Sequence, residues 1–151
     1  MALTLLRHLP PDVAPGTCYG MTDLDLAPGW EPRAEALAAR FADHRAIFTS
    51  PLKRCRQIAE KMAFFEIDHG LREMDFGAWE MQSWDGIDRA EIDDWAADFF
   101  GARPHGGESV AMLRDRVAQA VRWRLEAIED KEAVRRGTTL FALPQYAGDG
   151  A

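Results

Sequence analysis

The sequence has no apolar run approaching the ~20 residues needed to cross a bilayer. The N-terminal stretch Ala2 to Leu6 is also too short for the hydrophobic part of a secretory signal. A cytoplasmic protein is the expectation that follows. Cationic residues are in deficit: 18 Lys and Arg stand against 25 Asp and Glu, a formal charge of −7. General binding to nucleic acid or to an anionic membrane is disfavoured, since both need a cationic surface. Any anionic ligand must then be gripped by a local group of arginines. There are only two cysteines, Cys18 and Cys55, and they lack metal-ligand spacing. They can form at most one disulfide, which a reducing cytosol does not favour, so both are expected as packed thiols. No internal repeat or low-complexity block occurs, which leaves hydrophobic periodicity as the guide to organisation.

What is present suffices for one domain over residues 1–151, with 47% hydrophobic residues to build a core. Ala2 to Leu6 reads as a strand buried on both faces, Pro10 to Gly29 as a long loop, and Glu31 to His44 as a helix. Ala46 to Thr49 is a second strand. Ser50 then reads as an N-cap with Pro51 at the first helical position. Phe64 to Ile67 is a third strand, Leu71 to Trp79 an irregular segment interrupted by Gly77, and Ser83 to Phe100 a set of short helices. Ser109 caps a long helix in which Leu113, Val117, Val121, Leu125 and Ile128 recur at helical spacing. Thr138 to Leu143 is the last strand. Alternating strands and helices predict an α/β fold, a three-layer α/β/α arrangement around a mainly parallel sheet. Ligands of such sheets sit beyond the carboxyl ends of the strands, where Arg7, His8 and Ser50 fall.

Three stretches carry the chemistry. In "TLLRHLPP" an apolar strand ends on a cation and an imidazole, and an oriented, unprotonated imidazole is a good nucleophile. From these residues alone a structural role, with Arg7 paired to a carboxylate and His8 capping the sheet, is the readier reading. In "SPLKRCRQIAE" Arg54 and Arg56 lie in the first turns of a helix, where free N–H groups and guanidinium forks together suit phosphate. A solvated helix face would suit Lys53 and Arg56 as well. In "LREMDFGAWE" a carboxyl group desolvated by Phe76 or Trp79 can donate a proton to a leaving alkoxide, although periodicity does not say which one. The aromatic and Met residues there are more often core than ligand contact. Trp84 and Trp95 can pack over the site or in a dimer. "PHGGES" adds flexible glycines, a carboxylate and a helix start.

Together "LLRH", "SPLKRCRQIAE", "LREMDFGAWE" and "GGES" resemble the histidine phosphatases, the superfamily that includes the cofactor-dependent phosphoglycerate mutases. "PDVAPGTCYGMTDLDL" resembles the subgroup of α-ribazole phosphatases, which act in cobalamin assembly. The resemblance runs from Leu3 to about Ile128. It implies a phosphoglycerate mutase-like fold and hydrolysis of a small phosphate ester, α-ribazole 5′-phosphate or similar. By the same resemblance His8 is the nucleophile that becomes phosphohistidine, Arg7 and Arg54 bind the phosphoryl oxygens, and Glu73 is the general acid. Tyr19, Gly20, Ser50, Glu108 and Ser109 are implied to line the substrate. No metal or cofactor is implied.

The tail departs from the pattern. Relatives carry a second histidine in a "THGG"-like segment after the last strand, whereas this chain reads "TTLFALPQYAGDGA". His44, His69 and His105 do not fall at that position, and of these only His105, in the "GGES" loop, lies in a segment near the site in the family. The domain is thus expected to be truncated or divergent after about residue 136, through a shortened or frame-shifted gene or a different, weakened chemistry. A catalytically impaired phosphate-binding protein of the same fold is the alternative. The resemblance also implies that a helix covering one sheet face is missing, so that an apolar edge would be exposed and favour a homodimer.

Overall fold

A computed structural model describes residues 3–43, 46–62, 64–129 and 139–143. Four strands, β1 (Leu3–Arg7), β2 (Ala46–Thr49), β3 (Glu66–Ile67) and β4 (Thr139–Leu143), form one sheet in the order β1-β4-β2-β3. Every pairing is parallel. The last strand is inserted between the first two: Leu3 pairs with Thr139 and Arg7 with Leu143, while Ala46 pairs with Thr139 from the other side.

Among the described residues four α-helices accompany the sheet: α1 (Glu31–Arg40), α2 (Lys53–Ala59), α3 (Arg89–Ala97) and α4 (Val110–Glu129). Successive residues of a strand face opposite sides of its sheet, and β2 shows where the helices lie. Ile47 packs with Ala34, Leu37 and Ile58 of α1 and α2, whereas Phe48 packs with Val117, Ala120 and Val121 of α4. Helices thus cover both faces, giving the expected α/β/α layering. A separate apolar cluster of Cys18, Met74, Phe76, Trp79, Ile87, Val110 and Leu113 is closed by Trp84, Trp95 and Phe99 from the α3 region. Phe76 and Trp79 are buried in this core, as their type predicts, and half-buried Trp84, Trp95 and Phe99 pack against it.

Local chemistry accounts for most boundaries. The α4 start follows the sequence, with Ser109 Oγ accepting from the Met112 N–H at 3.2 Å. At α3, Asp88 Oδ1 accepts from the Ala90 N–H at 2.9 Å. Helix α1 opens on Glu31 and Pro32 and closes at Arg40, which suits the helix dipole, and is shorter than expected; His44 lies outside the described residues. Strand β3 is likewise confined to two residues.

The start of α2 corrects the sequence reading. Ser50 and Pro51 precede the helix, and Leu52 occupies the N-cap position with extended backbone. Ser50 Oγ accepts from the Leu52 N–H at 3.3 Å, while the first helical N–H, that of Lys53, donates to Asp23 Oδ1 at 2.7 Å. The cap comes from a loop thirty residues upstream.

Both cysteines are free, buried thiols, pushed up by burial to about 12. The expectation of a first strand buried on both faces is not met: β1 lies at the edge of the sheet and exposes Leu3 and Leu5, at 45% and 55%. Among the described residues no helix is long and apolar enough to cross a membrane. The tail after Leu143, where relatives carry the second histidine, lies outside the described residues.

Candidate active site

Strands β1 and β2 bring their carboxyl ends to the same side of the sheet, which places His8 just beyond one and Ser50 just beyond the other. His8 is 7% exposed. Its Nδ1 lies 2.7 Å from the Leu9 carbonyl oxygen. Because a carbonyl only accepts, Nδ1 must carry the proton, and Nε2 is left with a bare lone pair. That Nε2 atom is buried and has no hydrogen-bond partner. Burial, helped by the charges of Arg54 and Arg7 and opposed by the Leu9 bond, pushes the ring down to about 4, so it is neutral at pH 7. A narrow apolar hollow bordered by Leu6, Ile47, Cys55, Ile58 and Met62 adjoins the ring.

Arg54, on the first turn of α2, is 1% exposed. Its Nη1 donates to the Thr22 carbonyl at 2.8 Å and its Nη2 to the Gly20 carbonyl at 2.6 Å, while its buried Nε has no partner. The guanidinium also lies 5.0 Å from the Tyr19 ring, whose edge approaches His8 at 6.5 Å between centroids. The turn holding Tyr19, Gly20 and Thr22 is fastened by Glu80. Glu80 Oε1 accepts from the Met21 and Phe76 N–H groups at 2.8 and 3.2 Å, and Oε2 accepts from Thr22 Oγ1 at 2.5 Å. Gly20 has φ of +39°, and a Cβ there would meet Glu80 Oε1 at 2.5 Å, so this turn requires glycine.

Glu73 is 3% exposed, and its Oε1 accepts from the Met74 N–H at 2.8 Å. Its charge is felt at Tyr19, Cys18 and Cys55, which places it in the same neighbourhood as Arg54. The structure therefore gathers His8, Arg54, Tyr19, Gly20, Ser50 and Glu73, with exposed Arg7 at the edge acting on His8 through its charge.

Two sequence-predicted substrate residues are engaged elsewhere, and Arg56 belongs to the solvated face. Glu108 is in a two-point pair with Arg116, Nε to Oε1 at 2.8 Å and Nη2 to Oε2 at 2.6 Å. Buried Ser109 spends its hydroxyl on the cap of α4. Arg56 pairs with Glu60 on the outer face of α2. His105 is in the aromatic cluster, 4.8 Å from Trp79 and 5.5 Å from Phe76, with Nδ1 accepting from the Gly107 N–H. Burial lowers its pKa, and the charges it feels are those of Asp75, Arg103, Glu80 and Glu91. His69 sits in a single 3-10 turn. Among the described residues no group of His, Cys, Asp and Glu is arranged to hold a metal ion.

Sequence reasoning missed the three supports Asp23, Glu80 and Arg116. A signal existed for Arg116: it falls within the apolar stripe of α4, between Leu113 and Ala120, where an arginine needs a buried partner.

The lowered His8 pKa predicts an acid-dependent loss of stability. The unfolded ring takes its proton near pH 6.5 and the folded ring near 4, so stability that is full above 6.5 declines as pH falls toward 4. From pH 7 to 4.5 this amounts to about 2 kcal/mol. Urea unfolding at both pH values should show that loss in the wild type and a smaller one in His8→Gln. His105 shifts in the same direction in both proteins and cancels.

The sequence pattern of the histidine phosphatase superfamily (branch 1) matches residues 3–138. No curated protein matches the chain. Among solved structures, TTHB049 from Thermus thermophilus is 31% identical with a TM-score of 0.70, the match covering 95% of this chain and 78% of that one. A mycobacterial glucosyl-3-phosphoglycerate phosphatase in complex with VO3 is 25% identical with a TM-score of 0.72, covering 93% and 75%. Mycobacterial hydrolase 1, at 23% identity and a TM-score of 0.75, covers 93% and 74% and speaks for the fold alone.

Proposed function

The chain belongs to the histidine phosphatase superfamily and is a phosphatase by class, and from that premise we propose that it hydrolyses a small phosphate monoester through a phosphohistidine on His8. One observation carries the reading: the Nδ1–H to Leu9 bond fixes the tautomer and leaves Nε2 unprotonated, in a ring that feels the charge of Arg54.

In this reading Nε2 attacks phosphorus, a P–N bond forms, and the bond to the leaving oxygen breaks as Glu73 donates its proton to that oxygen. Water then attacks phosphorus, Glu73 takes the proton from that water, and inorganic phosphate leaves with the imidazole restored. Arg54 and Arg7 stabilise the charge that spreads over the equatorial oxygens. Tyr19, Gly20 and Ser50 border the reacting group. We take the substrate to be α-ribazole 5′-phosphate or a comparably small phosphorylated compound. The VO3 bound by the mycobacterial phosphatase supports an oxyanion site in this fold. Residues 1–151 act as one such domain, divergent after about residue 136.

The burial of Nε2 favours a second reading, an anion-binding protein that retains the arginines without turnover. Incubation with a 32P-labelled phosphomonoester separates the two. Phosphohistidine chemistry leaves an acid-labile, base-stable label on the peptide containing His8. Hydrolysis with no trapped label would overturn the proposed intermediate. A rise in melting temperature with phosphate, without hydrolysis, would establish the second reading.

A further inference from the structure

We propose that Arg116 is a positioning residue for Glu73, acting through Glu108 and the backbone of residues 70–73. The inference rests on the reading of Glu73 as the proton donor.

A guanidinium carries five N–H groups, and Arg116 uses all of them. Nε and one N–H of Nη2 engage both oxygens of Glu108, the two of Nη1 donate to the Gly70 and Arg72 carbonyls at 2.9 and 3.0 Å, and the other of Nη2 donates to the Glu73 carbonyl at 3.3 Å. One planar group thereby fixes the carbonyls of the segment that ends in Glu73. The next peptide unit completes the restraint, because the Met74 N–H donates to the Glu73 carboxylate itself. Turning the peptide backbone at residue 73 would turn the acid with it.

Glu108 is anchored independently. Its own N–H donates to the Asp75 carbonyl at 2.8 Å, and a Cβ on neighbouring Gly107 would collide with that same carbonyl. The carboxylate is thus a fixed post against which Arg116 is aligned, and the side chains of the pair are only 22% and 13% exposed. This assigns the "GGES" glutamate to the support of Glu73. Lysine cannot replace the arginine, since an ammonium is a point donor without the fork that reaches both Glu108 and three carbonyls.

An ion pair that only stabilises the fold would affect all substrates alike. A positioning role for the proton donor predicts dependence on the leaving group, because p-nitrophenolate departs with little help from an acid while an alkoxide does not. Arg116→Lys should lower kcat/KM for an alkyl phosphate ~10-fold or more, since small misplacements cost up to about 10², and for p-nitrophenyl phosphate by less than about twofold. Amide hydrogen exchange at Met74 and Asp75 should accelerate. The double variant Arg116→Met/Glu108→Met, which leaves no unpaired charge, should show the same substrate dependence even if its melting temperature is restored. Equal losses for the two esters, or none, would overturn the proposal. If the wild type hydrolyses neither ester, the proton-donor reading fails separately, and exchange decides positioning: unchanged protection at Met74 and Asp75 overturns it, and faster exchange supports it.

Discussion

Replacing His8 by alanine is expected to abolish hydrolysis of phosphate monoesters, a loss on the order of 10⁶ of the kind seen when a covalent nucleophile is removed. The expectation rests on the absence of a substitute nearby among the described residues. Both thiols are held far from ionisation by burial, with pKa values pushed to about 12, and His105 faces Trp79 and Phe76. The variant should still fold. It removes a buried nitrogen that has no partner and widens a hollow already bordered by apolar side chains. Binding should survive as well, because Arg54 is held by the Thr22 and Gly20 carbonyls and owes nothing to the ring. Steady-state turnover of p-nitrophenyl phosphate and the phosphate-induced shift in melting temperature measure the two properties separately. Equal turnover by wild type and His8→Ala would remove the basis of the enzymatic account.

The second large effect is expected at Glu73. Glu73→Gln keeps the size of the side chain and an oxygen able to accept from the Met74 N–H, yet it cannot supply a proton. Loss of a positioned acid typically costs 10²–10⁴ in rate, and the full cost should appear with alkyl phosphates. With p-nitrophenyl phosphate the formation of phosphohistidine should be nearly unaffected, while its hydrolysis should slow, because in the proposed mechanism Glu73 also accepts the proton of the attacking water. The label should therefore accumulate on His8 in this variant and be easier to trap than in the wild type. A variant that loses both esters equally and accumulates no label would show that residue 73 is not the proton donor.

The parts of this molecule that can be read in advance are those whose causes are local. The apolar run before Arg7 is a strand because its neighbours along the chain make it one, and Ser109 caps α4 through an N–H three residues away. The α2 boundary escapes the sequence because its first N–H is satisfied by Asp23, thirty residues upstream, leaving Ser50 and Pro51 ahead of the helix. Glu108 escapes for a related reason. Its motif places it near Glu73, but its carboxylate is taken up by Arg116, two helical turns further on. Arg54 can be singled out from its position at a helix start, although the carbonyls that aim it belong to a turn fastened by Glu80. In each case the residue is visible and its partner is not.

The placement of β4 has a consequence for how the molecule comes into being. His8 follows β1 and Arg54 precedes the bulk of α2 just beyond β2, but among the described residues neither strand is hydrogen-bonded to the other: both pair with residues 139–143. Until those residues are in place the two side chains proposed to act on phosphate belong to unjoined pieces, held back by the long-range pairing that slows folding. Insertion of β4 is therefore the folding step that brings residues 8 and 54 together.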